Sequence, residues 1–429
     1  MNMKSKITMA LLALGVISSA SAQNVVYLTG SSAFRSTVYN ALHSSAGPGA
    51  GGVFDAAPTE VEFGGSGASG ANYMLFFGKI GGTDTYIDCV WSGSEAGIAS
   101  VCNVPLLNQD RDGNTIPLAG SPATWLKADG SITMNGWTAS APTSGQLESS
   151  SHQADLAQAD TSQAVSLTPR VINTTTDLKD YGKQGVVTFT WVKNVNTTPT
   201  AAWNSLLNIT LPQVHSELAL GSLPVAFFSG NVSQTNTQVY LVGRNKGSGT
   251  RANTLVDHNY GPTTKDVQQF SIGGGVNPGD PTTGLVLQYE AKNGYESGGG
   301  VAAALGIDGS CQQVDPFTGK TGWVAIGYLG CGDAVKSGLT VANNWLTLDG
   351  VQESNGSIIE GQYYFWGYEH LFGKHNISGY QDTVGNLIEN AVIYNVNVTA
   401  PVLANHDGAI GLQYMHCDKA SDVAFPARN

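Results

Sequence analysis

The chain has 429 residues, of which 41% are hydrophobic and only 12% are charged, and its formal net charge is −12. The apolar fraction is enough for a sizeable core, which excludes wholesale disorder, and the length predicts two or three folding units. An acidic chain with 20 Lys and Arg residues and no basic cluster is not expected to bind nucleic acid.

The first 22 residues have the pattern of an export signal. Lys4 and Lys6 precede an apolar run over residues 7–17 that is too short to span a bilayer. Ala20-Ser21-Ala22 matches the small-residue cleavage pattern, so we expect cleavage after Ala22 and a mature chain that begins at Gln23. No later segment reaches the run of about 18 apolar residues that indicates a membrane helix. We therefore expect a periplasmic or secreted protein with no membrane span in its mature chain.

Three of the predicted strands lead into a turn rich in glycine and serine. A β-type run over residues 25–29 ends at Gly30-Ser31-Ser32, and Phe34, Val38 and Leu42 then recur on one face of a helix. Further strands are predicted at 86–91, 185–192 and 239–242, and residues 322–329 and 363–372 form later apolar segments. Strand-to-helix turns separated by long crossovers predict an α/β fold with mostly parallel sheets. Residues 103–152 lack periodicity and are dense in Pro, Ser, Thr and Gly, which predicts a loop-rich surface insertion.

Five cysteines are present, and none of them forms a C-x-x-C motif. Their spacing does not predict a zinc site. In an oxidising compartment the simplest pairing is Cys89 with Cys102 and Cys311 with Cys331, which closes two local loops and leaves Cys417 over. The other connectivities stay open at this point.

Familiar catalytic and cofactor motifs do not account for the sequence. The H-E-x-x-H, G-x-S-x-G and phosphate-loop patterns are absent. A G-x-G-x-x-G at residues 65–70 is expected by chance in a chain with 54 glycines. Asn108-x-Asp110-x-Asp112-Gly113 begins like a calcium loop, but Ala119 stands where a calcium-binding Glu is required. We therefore expect no cofactor and no metal.

Three hydroxyl-rich turns are the main candidates for chemistry, at Ser31-Ser32, at Ser94 and at Ser248-Gly249-Thr250. A helix start has unpaired N–H groups and a partial positive charge, and glycine lets a ligand approach the backbone. Together with the guanidinium of Arg244, such turns suit a tetrahedral oxyanion. Taken singly, each turn is more often a simple helix N-cap.

The segment Arg244-Asn245-Lys246-Gly247-Ser248-Gly249-Thr250 resembles the R-x-x-G-S-G-T signature of periplasmic phosphate-binding proteins, the solute receptors of ABC phosphate importers. Segments 28–34, 86–98, 154–160 and 322–328 are similar to others of that family and occur in the same order. The resemblance implies phosphate contacts from Ser94, Asp160, Arg244, Ser248, Gly249 and Thr250. At the first turn the family's hydroxyl position aligns with Ala33. Ser32 can substitute, Phe34 can offer its backbone N–H, and Ser31 of the same turn completes the candidate set.

The resemblance also implies two α/β lobes that are joined by a two-stranded hinge and hold the ligand in a cleft between them. The chain is then expected to cross near residues 185–193 and to return near 363–372. The predicted bounds are a signal peptide at 1–22, lobe I at 23–190 with the insertion at 103–152, lobe II at 191–360, and a return to lobe I at 361–429.

The leading hypothesis is an exported receptor, not an enzyme, that captures inorganic phosphate or a related oxyanion for an ABC permease. We expect it to be a monomer. The alternative is a surface or matrix protein that keeps the two-lobed fold without a transport role, which the low charge, the glycine content and Ala33 favour modestly. A third hypothesis, an esterase or phosphatase, needs a base within reach of Ser248, and no histidine is near it in the sequence.

Overall fold

A computed structural model describes residues 24–109, 115–117, 123–197, 200–272, 287–291, 293–307, 323–399, 409–421 and 425–428. The predicted export signal, Cys311 and the predicted calcium-like residues Asp110 and Asp112 lie outside these ranges. None of the helices within them is long and apolar enough to cross a membrane.

The first part of the chain forms one mixed sheet, sheet I. Its strands up to residue 159 are β1 (Asn24–Gly30), β2 (Thr59–Phe63), β3 (Tyr73–Ile80), β4 (Thr83–Val90), β7 (Gly136–Thr138) and β8 (Leu156–Ala159), while β5 (Leu107–Gln109) and β6 (Thr115–Pro117) form a separate hairpin. At the centre β1 pairs in parallel with β4 and with β8.

A second sheet, sheet II, is formed later in the chain. The strands from residue 179 to residue 348 are β9 (Lys179–Lys193), β10 (Asn208–Ile209), β11 (Ser222–Pro224), β12 (Gln238–Val242), β13 (Gln269–Ile272), β14 (Leu287–Ala291), β15 (Trp323–Gly330) and β16 (Thr347–Leu348). Of these, β10 and β16 form a separate pair. In sheet II β12 pairs in parallel with β13 and with β15. The chain ends with β17 (Trp366–Gly373), β18 (Ala409–Ile410), β19 (Cys417–Asp418) and β20 (Ala427–Arg428).

Helices connect these strands and cover both sheets. They are α1 (Arg35–His43), α2 (Ser94–Val101), α3 (Ala201–Ser205), α4 (Leu211–Leu220), α5 (Val225–Ser229), α6 (Gly249–Asp257), α7 (Gly298–Gly306), α8 (Cys331–Lys336), α9 (Asn355–Ile359) and α10 (Gly379–Tyr394).

The long strand β9 belongs to both sheets. Up to Thr188 it pairs antiparallel with β17 in sheet I, and from Phe189 it pairs antiparallel with β15 in sheet II. Residues 186–192 are β-branched or aromatic and fully buried, as expected for a strand covered on both faces. The predicted two-lobed α/β fold is therefore confirmed, and we call the elements of the two sheets lobe I and lobe II.

Aromatic side chains pack where the two sheets meet. Trp191 of β9 contacts the rings of Tyr328, Phe365 and His258. The Trp191 indole N–H donates to His258 Nε2 at 3.1 Å, and His258 Nδ1 is 2.8 Å from the carbonyl oxygen of Thr254. Burial lowers the pKa of His258 to about 3. The ring is therefore neutral, with its proton on Nδ1, and acts as part of the packed junction.

The described part of residues 103–152 is loop-rich as predicted, but it is not confined to the surface. Trp125 is fully buried in lobe I, and its indole N–H donates to the carbonyl oxygen of His152 at 3.1 Å. Strand β7, from the same segment, pairs in parallel with β2. Isolated buried side chains anchor this segment instead of a regular helix or strand face, which is consistent with its lack of sequence periodicity.

The predicted bridge between Cys89 and Cys102 is not present, because both residues are free thiols. Cys89 is buried in one apolar cluster within β4, and Cys102 follows α2 in a different cluster. Cys331 is also a free thiol, and its predicted partner Cys311 lies outside the described residues. Proximity in sequence therefore does not bring the first pair together.

Candidate functional site

The starts of helices α2 and α6, one from each lobe, meet face to face. The backbone N–H groups of Glu95 and Ala96 donate to the carbonyl oxygen of Gly247 at 3.1 and 3.3 Å. Gly93 has a φ of +98°, and a Cβ atom added to it would lie 2.5 Å from the same oxygen. First-turn N–H groups can bind anions, and here two of them bind a peptide oxygen of lobe II.

Ser94 and Asp160 form the lobe I half of this site. The Ser94 hydroxyl donates to Asp160 Oδ1 at 2.6 Å, and the Asp160 backbone N–H donates to Ser94 Oγ at 3.2 Å. Both side chains are buried. The Asp160 carbonyl oxygen accepts from the amide of Asn253 in α6 at 2.7 Å, which ties the aspartate to lobe II.

Arg244 is the buried cation of the lobe II half. Its Nη2 and Nε donate to the carbonyl oxygens of Glu296 and Tyr295 at 2.9 and 3.3 Å. Nη1 is 3.5 Å from the Thr250 hydroxyl. Burial lowers the pKa of Arg244, and the charges of Asp333 and Asp160 oppose that shift. The guanidinium is thus held in place by backbone oxygens and flanked by two carboxylates.

The turn at residues 248–250 provides the N-cap of α6 and a close contact between the lobes. Ser248 is the N-cap of α6, and its hydroxyl accepts from the backbone N–H of Arg251 at 3.1 Å. Gly249 lies against lobe I, because a Cβ atom there would be 1.5 Å from Asp160 Oδ1 and 2.6 Å from Ser94 Oγ. Only glycine allows the two helix starts to come this close.

The first turn is placed differently from the rest of the candidate set. Ser32 and Ala33 line a cavity of about 40 Å³ between α1 and α8, together with Arg35, Asp333 and Lys336. The Lys336 ammonium donates across the lobes to the Ser36 hydroxyl at 3.1 Å. This cavity has room for water molecules. It borders the main site at Asp333, whose charge also acts on Arg244.

The remaining two residues of that turn have structural contacts. The Phe34 ring is buried in the main apolar cluster, and its carbonyl oxygen accepts from the N–H groups of Thr37 and Val38 at 3.0 and 3.2 Å. Ser31 donates its backbone N–H to the Gln158 carbonyl oxygen at 2.8 Å, while its hydroxyl is buried and makes no hydrogen bond of normal geometry. The structure therefore brings together Ser94, Asp160, Arg244, Ser248, Gly249 and Thr250, with the first turn beside them.

Two acidic residues that the sequence analysis missed belong to the surroundings of this site. Asp333, in the first turn of α8, reaches Arg244 because Gly298 has no side chain: a Cβ atom there would be 2.1 Å from Asp333 Oδ2. Glu369 is buried in β17, where burial and the charge of Asp160 raise its pKa well above the usual range. A glutamate inside the apolar run 363–372 is the sequence signal that could have identified it.

The arrangement is suited to binding. Ser94 donates to Asp160, and Ser248 accepts from a backbone N–H. Neither serine contacts an imidazole in the part of the chain that the structure describes. Across the same residues, no group of three or more His, Cys, Asp and Glu side chains is positioned to hold a metal ion. Two helix starts, hydroxyl groups and one guanidinium can surround a small anion.

Fold and site together define a two-lobed α/β protein with buried hydroxyl, carboxylate and guanidinium side chains at the junction of its lobes. No protein-family model and no curated protein matches the sequence. Among solved structures, the chain is similar to a phosphate ABC transporter substrate-binding protein with bound phosphate from Clostridium perfringens, with 11% identity, a TM-score of 0.44, and coverage of 91% of this chain and 100% of that chain.

Two further solved structures are similar at the same level. An ABC-type phosphate transport receptor from Vibrio cholerae has 12% identity and a TM-score of 0.38, with 87% of this chain and 98% of that chain covered. PstS from Borrelia burgdorferi has 11% identity and a TM-score of 0.35, with 91% and 99% covered. Identities this low do not assign a ligand, so the chemistry of the site rests on its own geometry.

Proposed function

We propose that this protein is an exported, non-enzymatic receptor that captures inorganic phosphate or a related oxyanion between its lobes and delivers it to an ABC permease. The observation that carries the proposal is the convergence of Ser94 and Asp160 from lobe I with Arg244 and the 248–250 turn from lobe II. These are ligands of the kind that a tetrahedral oxyanion requires. The proposed working form is a monomer. Its lobe I comprises residues 23–190 and 361–429, and its lobe II comprises residues 191–360.

Capture of an anion requires the two helix starts to separate. The carbonyl oxygen of Gly247 now accepts from the N–H groups of Glu95 and Ala96. An entering oxyanion would replace that oxygen and carry more negative charge, which gives stronger hydrogen bonds with the same donors. Opening about β9, which passes from sheet I to sheet II, and about the return of the chain before β17 is the hinge motion that would expose these donors.

Asp160 gives the proposed site a means of choosing among oxyanions. A buried carboxylate repels an anion unless the ligand brings a proton, because an ionised carboxylate is an acceptor only. Phosphate near neutral pH carries a P–O–H group that can donate to Asp160. Sulfate has none, so its oxygens would face the carboxylate without a hydrogen between them. We therefore propose phosphate over sulfate.

Isothermal titration calorimetry of the mature chain with phosphate, arsenate and sulfate tests this function. We expect saturable 1:1 binding of phosphate and at least tenfold weaker binding of sulfate, in line with sites that reject a ligand lacking a required proton. Binding of none of the three anions would contradict the receptor function and favour the surface-protein alternative.

A further inference from the structure

A second carboxyl group lies directly beside Asp160. Strand β17 runs antiparallel to β8, and His370 opposite Ala159 is the last pair of this ladder. Glu369 and Asp160 are the residues directly beyond that pair, and the charge of Asp160 acts on Glu369. Gly367, two residues earlier in β17, confirms the proximity: a Cβ atom there would lie 2.6 Å from the Asp160 carbonyl oxygen.

Glu369 has no compensation for its burial. Its side chain is fully buried, and neither carboxyl oxygen makes a hydrogen bond of normal geometry. The hydroxyl of Ser31 is the polar group beside it, and this hydroxyl is also buried. Burial raises the pKa of Glu369 most, the charge of Asp160 raises it further, and Ser31 lowers it. Burial and the charge of Asp160 therefore both favour the protonated form of Glu369.

Charges on the other elements that pack against β17 do not alter this balance. β17 contacts β8, β9, α2, α6 and α10. The charged groups on these elements have their own partners or lie outside its reach: Glu95, Lys179, Asp180, Lys183, Lys193, Arg251, Asp257, Asp382 and Glu389, with His370 on β17 itself. Among all of them only Asp160 acts on the ionisation of Glu369.

We propose that Glu369 is a further ligand-specificity residue of the oxyanion site, and that its proton sets the alkaline limit of anion binding. The inference rests on the proposed phosphate site. While Glu369 keeps its proton, the pair with Asp160 carries one negative charge, and Arg244 can balance it. Loss of the proton at high pH adds a second buried negative charge next to the place of the ligand, which repels the anion. Such a limit would release or exclude phosphate in alkaline surroundings.

Calorimetry with inorganic phosphate between pH 6.5 and 9.5 tests this proposal with the variant Glu369→Gln, which keeps the shape and cannot ionise. We expect the wild-type protein to lose roughly tenfold more affinity than Glu369→Gln over this range, since both experience the same ionisation of phosphate. Glu217→Gln is the matched control, because Glu217 is an equally buried glutamate in α4 without a hydrogen-bond partner. This control should lose affinity like the wild type. An equal loss in Glu369→Gln would overturn the proposal.

A second variant and a measurement without ligand test the protonation of Glu369 in two further ways. Ser31→Ala removes the hydroxyl that lowers the pKa of Glu369, so we expect the alkaline limit to move to higher pH. Infrared spectra near pH 7.5 should contain a protonated-carboxyl band that Glu369→Gln loses. If the wild type binds no phosphate at any pH, the proposed receptor function is wrong. The infrared band then still measures whether Glu369 holds a proton. An unchanged band in the variant would overturn the inference.

Discussion

Gly249 of lobe II lies so close to Asp160 of lobe I that a single methyl group could not be inserted between them. A Cβ atom on Gly249 would stand 1.5 Å from Asp160 Oδ1. Gly249, the second glycine of the R-x-x-G-S-G-T segment, is therefore required by the contact between the lobes, in addition to any contact with a ligand. This contact makes the closed arrangement of the lobes sensitive to one side chain.

The first prediction follows from that contact. Gly249→Ala should weaken phosphate binding by about tenfold, because overpacking of this size costs about 1–3 kcal/mol and would hold the lobes apart. Calorimetry measures the affinity. Gly306→Ala at the end of α7 is the matched control, since a Cβ atom there meets nothing within 4 Å. Normal phosphate affinity in Gly249→Ala would show that closure at this point is not part of binding.

The second prediction concerns the cation of the site. Arg244→Ala should weaken phosphate binding by roughly tenfold or more, because a hydrogen bond to a charged group contributes about 1.5–3 kcal/mol. Ser248→Ala should cost about 1 kcal/mol of binding, since its hydroxyl already caps α6. Arg170→Ala, which removes an exposed arginine paired with Asp177, should leave phosphate affinity unchanged. Unchanged affinity in both site variants would place the ligand elsewhere.

The third prediction tests how Asp160 selects among anions. Asp160→Asn removes the buried charge and supplies an N–H donor, so sulfate should bind more tightly while phosphate affinity changes far less. We expect the phosphate-to-sulfate ratio to narrow by roughly tenfold, measured by competition calorimetry. A full wild-type ratio in Asp160→Asn would exclude this carboxylate as the selecting group.

The fourth prediction concerns the attachment of the C-terminal segment. Lys419 forms a buried ion pair with Asp257 of α6, with Nζ 2.6 Å from Oδ1, and also donates to the carbonyl oxygen of Trp366. Lys419→Met should lower the free energy of unfolding by about 3–5 kcal/mol, because Asp257 keeps a buried charge without its cation. Urea unfolding measures this change.

The exposed pair of Lys79 and Asp84 provides the control for this experiment, since the Lys79 side chain is 60% exposed. Lys79→Met should change the free energy of unfolding by less than about 1 kcal/mol. Equal effects of the two substitutions would mean that the C-terminal segment is not held by the Lys419–Asp257 pair.

The fifth prediction links stability to pH through Glu95. Burial raises the pKa of Glu95 to about 7, although the Leu167 N–H and the Thr161 hydroxyl favour its charged form. A carboxyl group with a raised pKa in the folded state contributes stability that is present below its unfolded pKa and is lost as the pH rises through 7. Glu95→Gln should therefore gain stability relative to the wild type between pH 5 and pH 8, by on the order of 2 kcal/mol.

Denaturant unfolding at both pH values measures this difference. The comparison with the same change of side chain is Glu60→Gln, because Glu60 lies near the surface beside His43. This variant should show no such gain at pH 8. A Glu95→Gln variant whose stability relative to the wild type is the same at both pH values would contradict the raised pKa.

Local features of the sequence determined much of the fold. The strands at residues 24–30, 83–90, 179–193 and 238–242 overlap predicted β-type runs, and the strands at 323–330 and 366–373 overlap two segments that the sequence marks only as apolar. A run of β-branched and aromatic residues favours a strand, and a Gly-Ser turn ends it. The helix start at Ser94 and the N-cap at Ser248 could likewise be predicted, since N–H groups at a helix start need a nearby acceptor. The serine, glycine and threonine candidates of the site follow from these turns, whereas Asp160 was indicated by the family resemblance.

Tertiary structure decided what those turns contact. The sequence does not show that the Gly247 oxygen binds the start of α2, that the charge of Asp333 acts on Arg244, or that Glu369 lies beside Asp160. The same is true of buried Trp125 and of the separation of Cys89 from Cys102. Each of these depends on the register of strands and on the approach of elements distant in sequence, and a local pattern carries no information on either.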